Sequence, residues 1–263
     1  MKFPLPSSFF VAVIAVATAI DTQAQVSSIN SVRVYPREFN DVPGATFTTG
    51  VGIGSPSLWF NEQHVSAPTG FANRDVWRFS NNGGLTAYSF QHNDYFNASM
   101  DLTLTGSPTS PRKEAGFLFN TVTDGDIQFI VNTDGHEVVQ FGGISFYSFN
   151  DPAHGGLSYN SGNTIHLGMS YFLDSNGKNA LQFFANGHAS DVFEFGPTVG
   201  SGALDIGDGS RLGAYFQIVN DPNNPDNSGT AFFNNIRITA VPEPSVIALL
   251  GVGAVGLLLR RRA

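Results

Sequence analysis

Short runs in which apolar and polar residues alternate recur along most of the chain, and turns rich in Asn, Asp and Gly separate them. Every second residue of Met100–Thr105 is apolar, which is the pattern of a strand with one buried face. Asn81–Gly84, Asn132–Gly135 and Asp174–Gly177 supply the residues that tight hairpin turns require. These patterns predict a chain of strands joined by hairpins.

The composition favours a sheet protein with a large aromatic core. The 263 residues include 24 Phe, 29 Gly and 14 Pro, and only 13% are charged, a combination that argues against a helical bundle. No linker or charge run divides residues 26–240. We therefore predict one all-β domain there, an antiparallel two-sheet sandwich of about a dozen strands, with a closed barrel as the weaker alternative. The turn at Asn81–Gly84 is expected to lead into a strand at Leu85–Phe90.

One hairpin is specific enough to resemble a known fold. In Thr164–Gly187 a strand ends in an aromatic pair, turns through Asp-Ser-Asn-Gly and returns as Leu-x-Phe-x-Ala-Asn-Gly. This pattern is similar to a hairpin of concanavalin A-like, or laminin G-like, jelly rolls. The resemblance implies a jelly-roll sandwich and says little about activity.

The N-terminal segment has the three parts of a secretory signal peptide. Lys2 supplies the positive charge, Phe9–Ala17 is an apolar run too short to span a bilayer, and small residues follow. Thr22-Gln23-Ala24 fits the cleavage pattern, with cleavage after Ala24, and Ala17-Thr18-Ala19 is a second candidate. We therefore expect residues 1–24 to be a signal peptide and the protein to be exported.

The C-terminal segment has the character of a short membrane anchor. Val246–Leu259 is a run of 14 apolar or Gly residues, and Arg260, Arg261 and Arg262 follow it. As a helix this run extends about 21 Å, less than the ~30 Å hydrocarbon core, so it holds the chain weakly. Terminal arginines should remain in the cytoplasm. We expect a short transmembrane helix, with the arginines as its cytoplasmic basic anchor and the β domain outside.

Together with Pro242, Glu243 and Pro244, this segment resembles the PEP-CTERM sorting signal of exported Gram-negative proteins. The tripeptide, the hydrophobic run and the basic end occur in that order within residues 241–263. The resemblance implies that an exosortase-type membrane peptidase reads the signal, and that the tail anchors the protein in the inner membrane only transiently. It also implies a final location at the cell surface or in the extracellular matrix, and a link to exopolysaccharide.

Charge and cysteine content exclude several classes of function. The chain has no Cys, which excludes disulfides, thiol nucleophiles and thiolate metal sites. Residues 26–242 contain 9 Lys or Arg and 19 Asp or Glu, a net charge of −10. Nucleic acid is therefore not an expected partner, because phosphate binding needs a basic surface.

The sequence predicts no catalytic residue. Its six Glu do not form the Glu-x-Asp-x-x-Glu strand with which some laminin G-like relatives cleave β-glucans. Its six His lack the HxH and HExxH spacings of zinc sites, and no Gly-x-Ser-x-Gly elbow occurs. Arg112-Lys113-Glu114 is interpreted as a solvated turn that follows two prolines.

Calcium is the cofactor that the sequence favours most. Asp124, Asp126, Asp174 and Asn176 place hard oxygen ligands in loops, as Ca²⁺ prefers. Calcium also occurs in many concanavalin A-like relatives. The same residues suit hairpin turns without any metal, so both interpretations stay open.

Trp59 and Trp77 are the candidate glycan contacts, because an indole ring presents a flat apolar face with a polar edge. The leading hypothesis is an exported, exosortase-sorted, non-catalytic surface or extracellular-matrix protein that binds exopolysaccharide. One alternative is a secreted polysaccharide hydrolase or lyase of the same fold. Another is a structural surface or adhesion component.

Overall fold

A computed structural model describes residues 26–51, 57–65, 67, 69–195, 205–224 and 227–241. The predicted signal peptide, the tripeptide Pro242-Glu243-Pro244 and the basic anchor Arg260–Arg262 lie outside these residues, and so does the predicted transmembrane helix. Within the described part of the chain, no helical segment has the length and apolar character that crossing a membrane requires.

The described residues form fifteen strands and one short 3-10 helix at Pro152–His154. In chain order the strands are β1 (Ser31–Asn40), β2 (Thr46–Val51), β3 (Leu58–Gln63), β4 (Ala72–Ser80), β5 (Phe96–Ser107), β6 (Lys113–Thr121), β7 (Gly125–Asn132), β8 (Val138–Phe141), β9 (Tyr147–Ser148), β10 (Thr164–Leu173), β11 (Asn179–Ala185), β12 (His188–Ala189), β13 (Phe193–Glu194), β14 (Arg211–Val219) and β15 (Ser228–Ala240).

The strands pair into two antiparallel sheets. Sheet A has the order β1-β4-β14-β6-β7-β8-β9, and sheet B has the order β12-β11-β10-β5-β15-β3-β2, with β13 also paired to β11. The last two long strands each enter the middle of one sheet, because β14 lies between β4 and β6 and β15 lies between β5 and β3. The prediction of an all-β, two-sheet sandwich is confirmed.

Alternating side chains build the core between the two sheets. On β5, Met100, Leu102 and Leu104 are all 0% exposed, whereas the residues between them reach the surface. Aromatic rings fill the space that the two sheets enclose. The ring of Trp77 is fully buried and meets Phe79 and Phe233 edge-on, with ring centroids 5.2 and 5.9 Å apart. This dense aromatic packing accounts for the high Phe content.

Two of the three predicted hairpins are confirmed. Asn132–Gly135 follows β7 and leads to β8, and Asp174–Gly177 joins β10 to β11. The strand predicted at Leu85–Phe90 is wrong, since the segment forms only an isolated bridge at Phe90. The side chain of Asn82 accepts hydrogen bonds from the two backbone N–H groups at positions 85 and 86, each at 3.1 Å. A local side-chain acceptor therefore takes the donors that a strand would need.

The interpretation of Arg112-Lys113-Glu114 as a solvated turn is also wrong. Lys113 and Glu114 begin β6, and they are 0% and 5% exposed. The ammonium of Lys113 donates to the carbonyl oxygens of Pro108 and Pro111 at 2.6 and 2.8 Å. Burial lowers the pKa of Lys113 to about 8. The strand thus extends further towards the N-terminus than its charges suggest, because proline carbonyls satisfy the buried ammonium.

Candidate functional site

The surface of sheet A that points away from the core, called here the sheet A face, carries a hydrogen-bonded cluster. The strand register places Arg74, Gln217 and Glu114 side by side on β4, β14 and β6. Arg74 Nε donates to Gln217 Oε1 at 2.9 Å, and Gln217 Nε2 donates to Glu114 Oε1 at 3.0 Å. The hydroxyl of Tyr215 donates to the same carboxylate oxygen at 2.9 Å. The cluster thus joins an acid, a phenol, an amide and a guanidinium.

Burial controls the protonation of this cluster. Tyr215 is 0% exposed and Glu114 is 5% exposed. Burial raises the pKa of Glu114, and the hydrogen bond from Tyr215 and the charge of Arg112 offset only part of that effect. Burial and the charge of Glu114 raise the pKa of Tyr215 well above its usual value. The Tyr215 hydroxyl is therefore a proton donor at physiological pH.

Arginine is concentrated on the sheet A face although the protein is acidic. The register puts Arg33, Arg74, Arg78 and Arg211 there, four of the nine basic residues between positions 26 and 242. Arg78 pairs with Glu38 at 2.8 Å. The other three arginines have no salt-bridge partner among the described residues. Within the described part of the chain, this face therefore carries guanidinium groups that no carboxylate neutralises, which is what an anionic ligand needs.

The outer surface of sheet B, called here the sheet B face, carries an aromatic pair among hydroxyl and amide side chains. The register places Trp59 beside Phe232, which is 41% exposed. Trp59 is half-buried, and its indole occupies the space beside Gly50, where a Cβ would lie 2.6 Å from Trp59 Nε1. The hydroxyl and amide side chains in the same and the adjoining rows are those of Thr48, Asn61, Thr103, Thr105, Thr164, Thr230 and Asn234.

A carboxylate adjoins this aromatic pair on the sheet B face. Asp101 accepts a hydrogen bond from Asn235 Nδ2 at 2.6 Å, and its other oxygen lies 2.7 Å from His166 Nδ1. Burial raises the pKa of Asp101, but the hydrogen bonds from Asn235 and His166 outweigh burial and lower it overall. Asp101 is therefore ionised at neutral pH, which makes the sheet B face unfavourable for an anionic ligand.

Two carboxyl groups lie close together inside the sandwich, between β3 and β4. Glu62 and Asp75 are both 0% exposed. Glu62 Oε1 accepts from Asn73 Nδ2 at 2.5 Å and lies 3.3 Å from a guanidinium nitrogen of Arg37. Asp75 Oδ1 accepts from the backbone N–H of Arg37 at 2.8 Å. One oxygen of each carboxyl group, Glu62 Oε2 and Asp75 Oδ2, has no hydrogen-bond partner among the described residues.

The pair holds one proton at neutral pH. Burial and the charge of Glu62 raise the pKa of Asp75 to about 8. Burial also opposes the ionisation of Glu62, but His64, whose Nε2 lies 3.5 Å from Glu62 Oε1, the hydrogen bond from Asn73 and the charge of Arg37 outweigh it and lower that pKa. A proton on Asp75 can be shared with Glu62, which satisfies the two carboxyl oxygens that otherwise lack a donor.

The two predicted glycan contacts lie in different environments. Trp59 lies on the sheet B face and is half-buried. Trp77 is 0% exposed in the core, so it has no surface to offer to a sugar, and the prediction is wrong for this residue. The sequence of β4 does not show that Trp77 is in the core, because nearly every residue of that strand is buried and the strand has no simple alternation of buried and exposed positions.

The residues considered as calcium ligands make hydrogen bonds within their own turns. Asp174 Oδ1 accepts from the backbone N–H of Asn176 at 2.9 Å. Asp126 accepts from Asn120 Nδ2 at 2.6 Å, and Asp124 accepts from the hydroxyl of the preceding threonine at 3.0 Å. In the described ranges, no group of three or more His, Cys, Asp or Glu side chains is placed to hold a metal ion. These contacts are those of turn residues.

The C-terminal segment identifies the export route. Residues 240–262 match the family model of the PEP-CTERM protein-sorting motif. The chain carries a PEP-CTERM sorting motif. A PEP-CTERM protein is exported and processed by exosortase, a membrane protein, on its way to the cell surface. The match covers the tail of the chain and says nothing about the sandwich.

The sandwich is similar in fold to solved alginate lyases. A lyase from Corynebacterium sp. is 14% identical, with 80% of this chain and 94% of that chain covered and a TM-score of 0.50. A lyase from Pseudomonas aeruginosa is 13% identical, with 73% and 86% covered and a TM-score of 0.50. At these identities the likeness shows the fold alone, an all-β jelly roll compatible with the expected concanavalin A-like body. No curated protein matches the sequence.

Proposed function

We propose that this PEP-CTERM protein acts without catalysis, as a surface or matrix protein that binds a neutral polysaccharide on its sheet B face. The observation that carries the proposal is the position of Trp59 beside Phe232, accessible and surrounded by hydroxyl and amide side chains. Aromatic rings pack against the C–H faces of sugars, while Thr and Asn side chains can bond to sugar hydroxyls. The likeness in fold to proteins named alginate lyases is in keeping with a polysaccharide ligand.

The charge of the sheet B face favours a neutral ligand. Asp101 is ionised beside the aromatic pair, and the whole chain has a formal net charge of −8. An anionic polymer would have to approach this carboxylate, because Arg237, whose charge helps to lower the pKa of Asp101, lies opposite Ser99 and so farther from Trp59 than Asp101 is. A glucan, xylan or other uncharged polymer meets no such penalty.

We expect Trp59→Ala to weaken binding of a neutral polysaccharide at least about tenfold, the effect of truncating one central aromatic contact. The measurement is the dissociation constant of the processed protein for cellulose, xylan and the neutral exopolysaccharide of its host. Phe146→Ala is the matched control, because Phe146 is 66% exposed and lies in the loop between β8 and β9, away from the sheet B face. Equal losses in both variants, or binding to none of these polymers, would contradict the proposal.

A second candidate function is cleavage of an acidic polysaccharide on the sheet A face. The cluster of Arg74, Gln217, Glu114 and Tyr215 favours it, because these groups match the needs of a β-elimination. Arg74 and Gln217 would hold a uronate carboxylate, and Glu114 would remove the proton on the adjacent carbon. The bond to the bridging oxygen would then break, and Tyr215 would return a proton to that oxygen. This candidate requires Tyr215 and Glu114 to become accessible to the polymer.

The second candidate predicts that alginate or another uronate polymer gains unsaturated ends, which absorb ultraviolet light, when the protein is added. Tyr215→Phe should then abolish the increase in absorbance, because it removes the proton donor. Tyr35→Phe makes the same change on the same face, outside the cluster, and should leave the rate unchanged. If no uronate polymer is cleaved, the sheet A face is not a lyase site.

A further inference from the structure

A cavity of about 310 Å³ lies on the sheet B face beside the end of β15. It is separate from the aromatic pair, since Asn97 in its wall lies six residues along β5 from Thr103, roughly 20 Å away. Its wall includes Asn97, Ser170, Phe172, Leu173 and Val241.

The sandwich continues into the sorting motif without a linker. The ladder between β15 and β5 runs to Ala240, opposite Phe96, and the backbone N–H of Val241 still donates to Tyr95 O at 3.0 Å. Pro242 follows directly, and it has no N–H with which to extend the ladder. Val241, the last described residue before the tripeptide, is itself part of the cavity wall.

The tripeptide is long enough to reach from β15 to β10, across the strand between them. Three residues in an extended, proline-type conformation span about 9 Å. This is close to two inter-strand spacings of about 4.8 Å, the distance from β15 across β5 to β10. A chain that turns at Pro242 can therefore cross β5 and place the next two residues over Ser170 and Phe172.

The chemistry of the cavity also fits the tripeptide. Phe172 and Leu173 offer apolar surface for proline rings. The carbonyl oxygen of the Asn97 side chain accepts from the hydroxyl of Ser170. The NH₂ group of Asn97 has no hydrogen-bond partner among the described residues, so it is a donor for a carboxylate such as that of Glu243.

We propose that, before processing, this cavity binds the sorting tripeptide Pro242-Glu243-Pro244 of the same chain. The proline rings pack on Phe172 and Leu173, and the Glu243 carboxylate accepts from the Asn97 amide. Exosortase gains access to the motif only when the tripeptide leaves the cavity. The docked fraction of the precursor is therefore withheld from cleavage.

Disulfide trapping tests the docking directly, because the natural chain has no Cys. The full-length precursor is produced in membranes of a host without exosortase and carries Glu243→Cys with either Ser170→Cys or Asn97→Cys. A disulfide needs Cα atoms about 4.4–6.8 Å apart. We expect at least one of these pairs to form it under mild oxidation. The control pair, Glu243→Cys with Thr103→Cys, lies on the same face and should stay reduced. No disulfide with either cavity position, or equal yield in the control, overturns the proposal.

The rate of processing gives a second readout, which does not depend on polysaccharide binding. Phe172→Ser removes the main apolar contact, so exosortase should cleave the precursor roughly three- to tenfold faster. Phe184→Ser makes the same change on β11, outside the cavity, and should leave the rate unchanged. An unchanged or slower rate for Phe172→Ser overturns the proposal. If that variant fails to fold, the disulfide experiment decides alone.

Discussion

Replacing Trp77 by alanine should lower the free energy of unfolding of the processed protein by about 3–5 kcal/mol, the range for truncating a fully buried aromatic residue. Its ring is 0% exposed and packs edge-on against Phe79 and Phe233. The indole N–H has no hydrogen-bond partner among the described residues, so the loss comes from apolar contacts and from the cavity left behind. Equilibrium unfolding in urea, followed by Phe and Tyr absorbance or circular dichroism, measures the change.

Trp59→Ala is the matched control for this prediction. It removes the same type of side chain from the sheet B face, where Trp59 is only half-buried. We expect this change to lower the free energy of unfolding by less than about 1.5 kcal/mol. The two variants should therefore separate stability from binding. Trp77→Ala unfolds more easily, and Trp59→Ala binds polysaccharide less well. Equal losses of stability would mean that Trp77 does not occupy the core as described.

The second large effect is a fall in stability with rising pH that originates at Asp75. Its pKa is raised to about 8 in the folded protein, whereas an unperturbed Asp titrates near pH 3.9. The folded state therefore keeps a proton that the unfolded state has already released. Its contribution to stability is complete below about pH 4 and is lost as the pH rises through about 8. Over most of this interval the free energy of unfolding should fall by about 1.4 kcal/mol per pH unit.

Asp75→Asn should remove the part of this slope that comes from Asp75, because the amide stays neutral and donates to Glu62 at every pH. We expect the variant to be more stable than the natural protein at pH 8 and above. Glu62 does not obscure the effect, since its pKa is lowered and its contribution is complete before pH 5. Urea unfolding at intervals between pH 5 and pH 9 provides the measurement.

Asp101→Asn is the control for the pH experiment. The pKa of Asp101 is lowered, so its contribution is present above about pH 4 and is lost only as the pH falls further. Between pH 5 and pH 9 this variant should keep the slope of the natural protein. A natural protein whose stability does not fall between these values would show that the buried pair is not protonated on Asp75.

Local patterns in the sequence predict the strands and turns well where neighbouring residues decide them. The alternation of Met100–Thr105 and the turn at Asp174–Gly177 each depend on residues within one hairpin, and both are confirmed. The segment Leu85–Phe90 has a strand-like composition, yet the side chain of Asn82 binds its first backbone donors. Strand propensities do not reveal this competition for the backbone N–H groups, because the competition depends on the rotamer of Asn82 in the preceding turn.

The Glu114 cluster could not be found from the sequence. Arg74, Glu114 and Gln217 are brought together because β14 enters sheet A between β4 and β6. The alternation of Tyr215 and Gln217 on β14 indicates that they share a face, but it does not indicate which strands flank them. Strand order is a non-local property, and for these residues it decides the chemistry.

The sequence alone determined the class of fold and the sorting motif, and it predicts the signal peptide. Each of these depends on a contiguous stretch, such as an alternating run, an apolar segment or the ordered parts of the tail. The tertiary structure decided which tryptophan is buried, that Glu62 and Asp75 lie together inside the sandwich, and that Val241 lines a cavity. Those facts depend on which strands become neighbours and which face of each strand the second sheet covers. The two-residue period of a strand separates its faces but does not tell which of them lies inside.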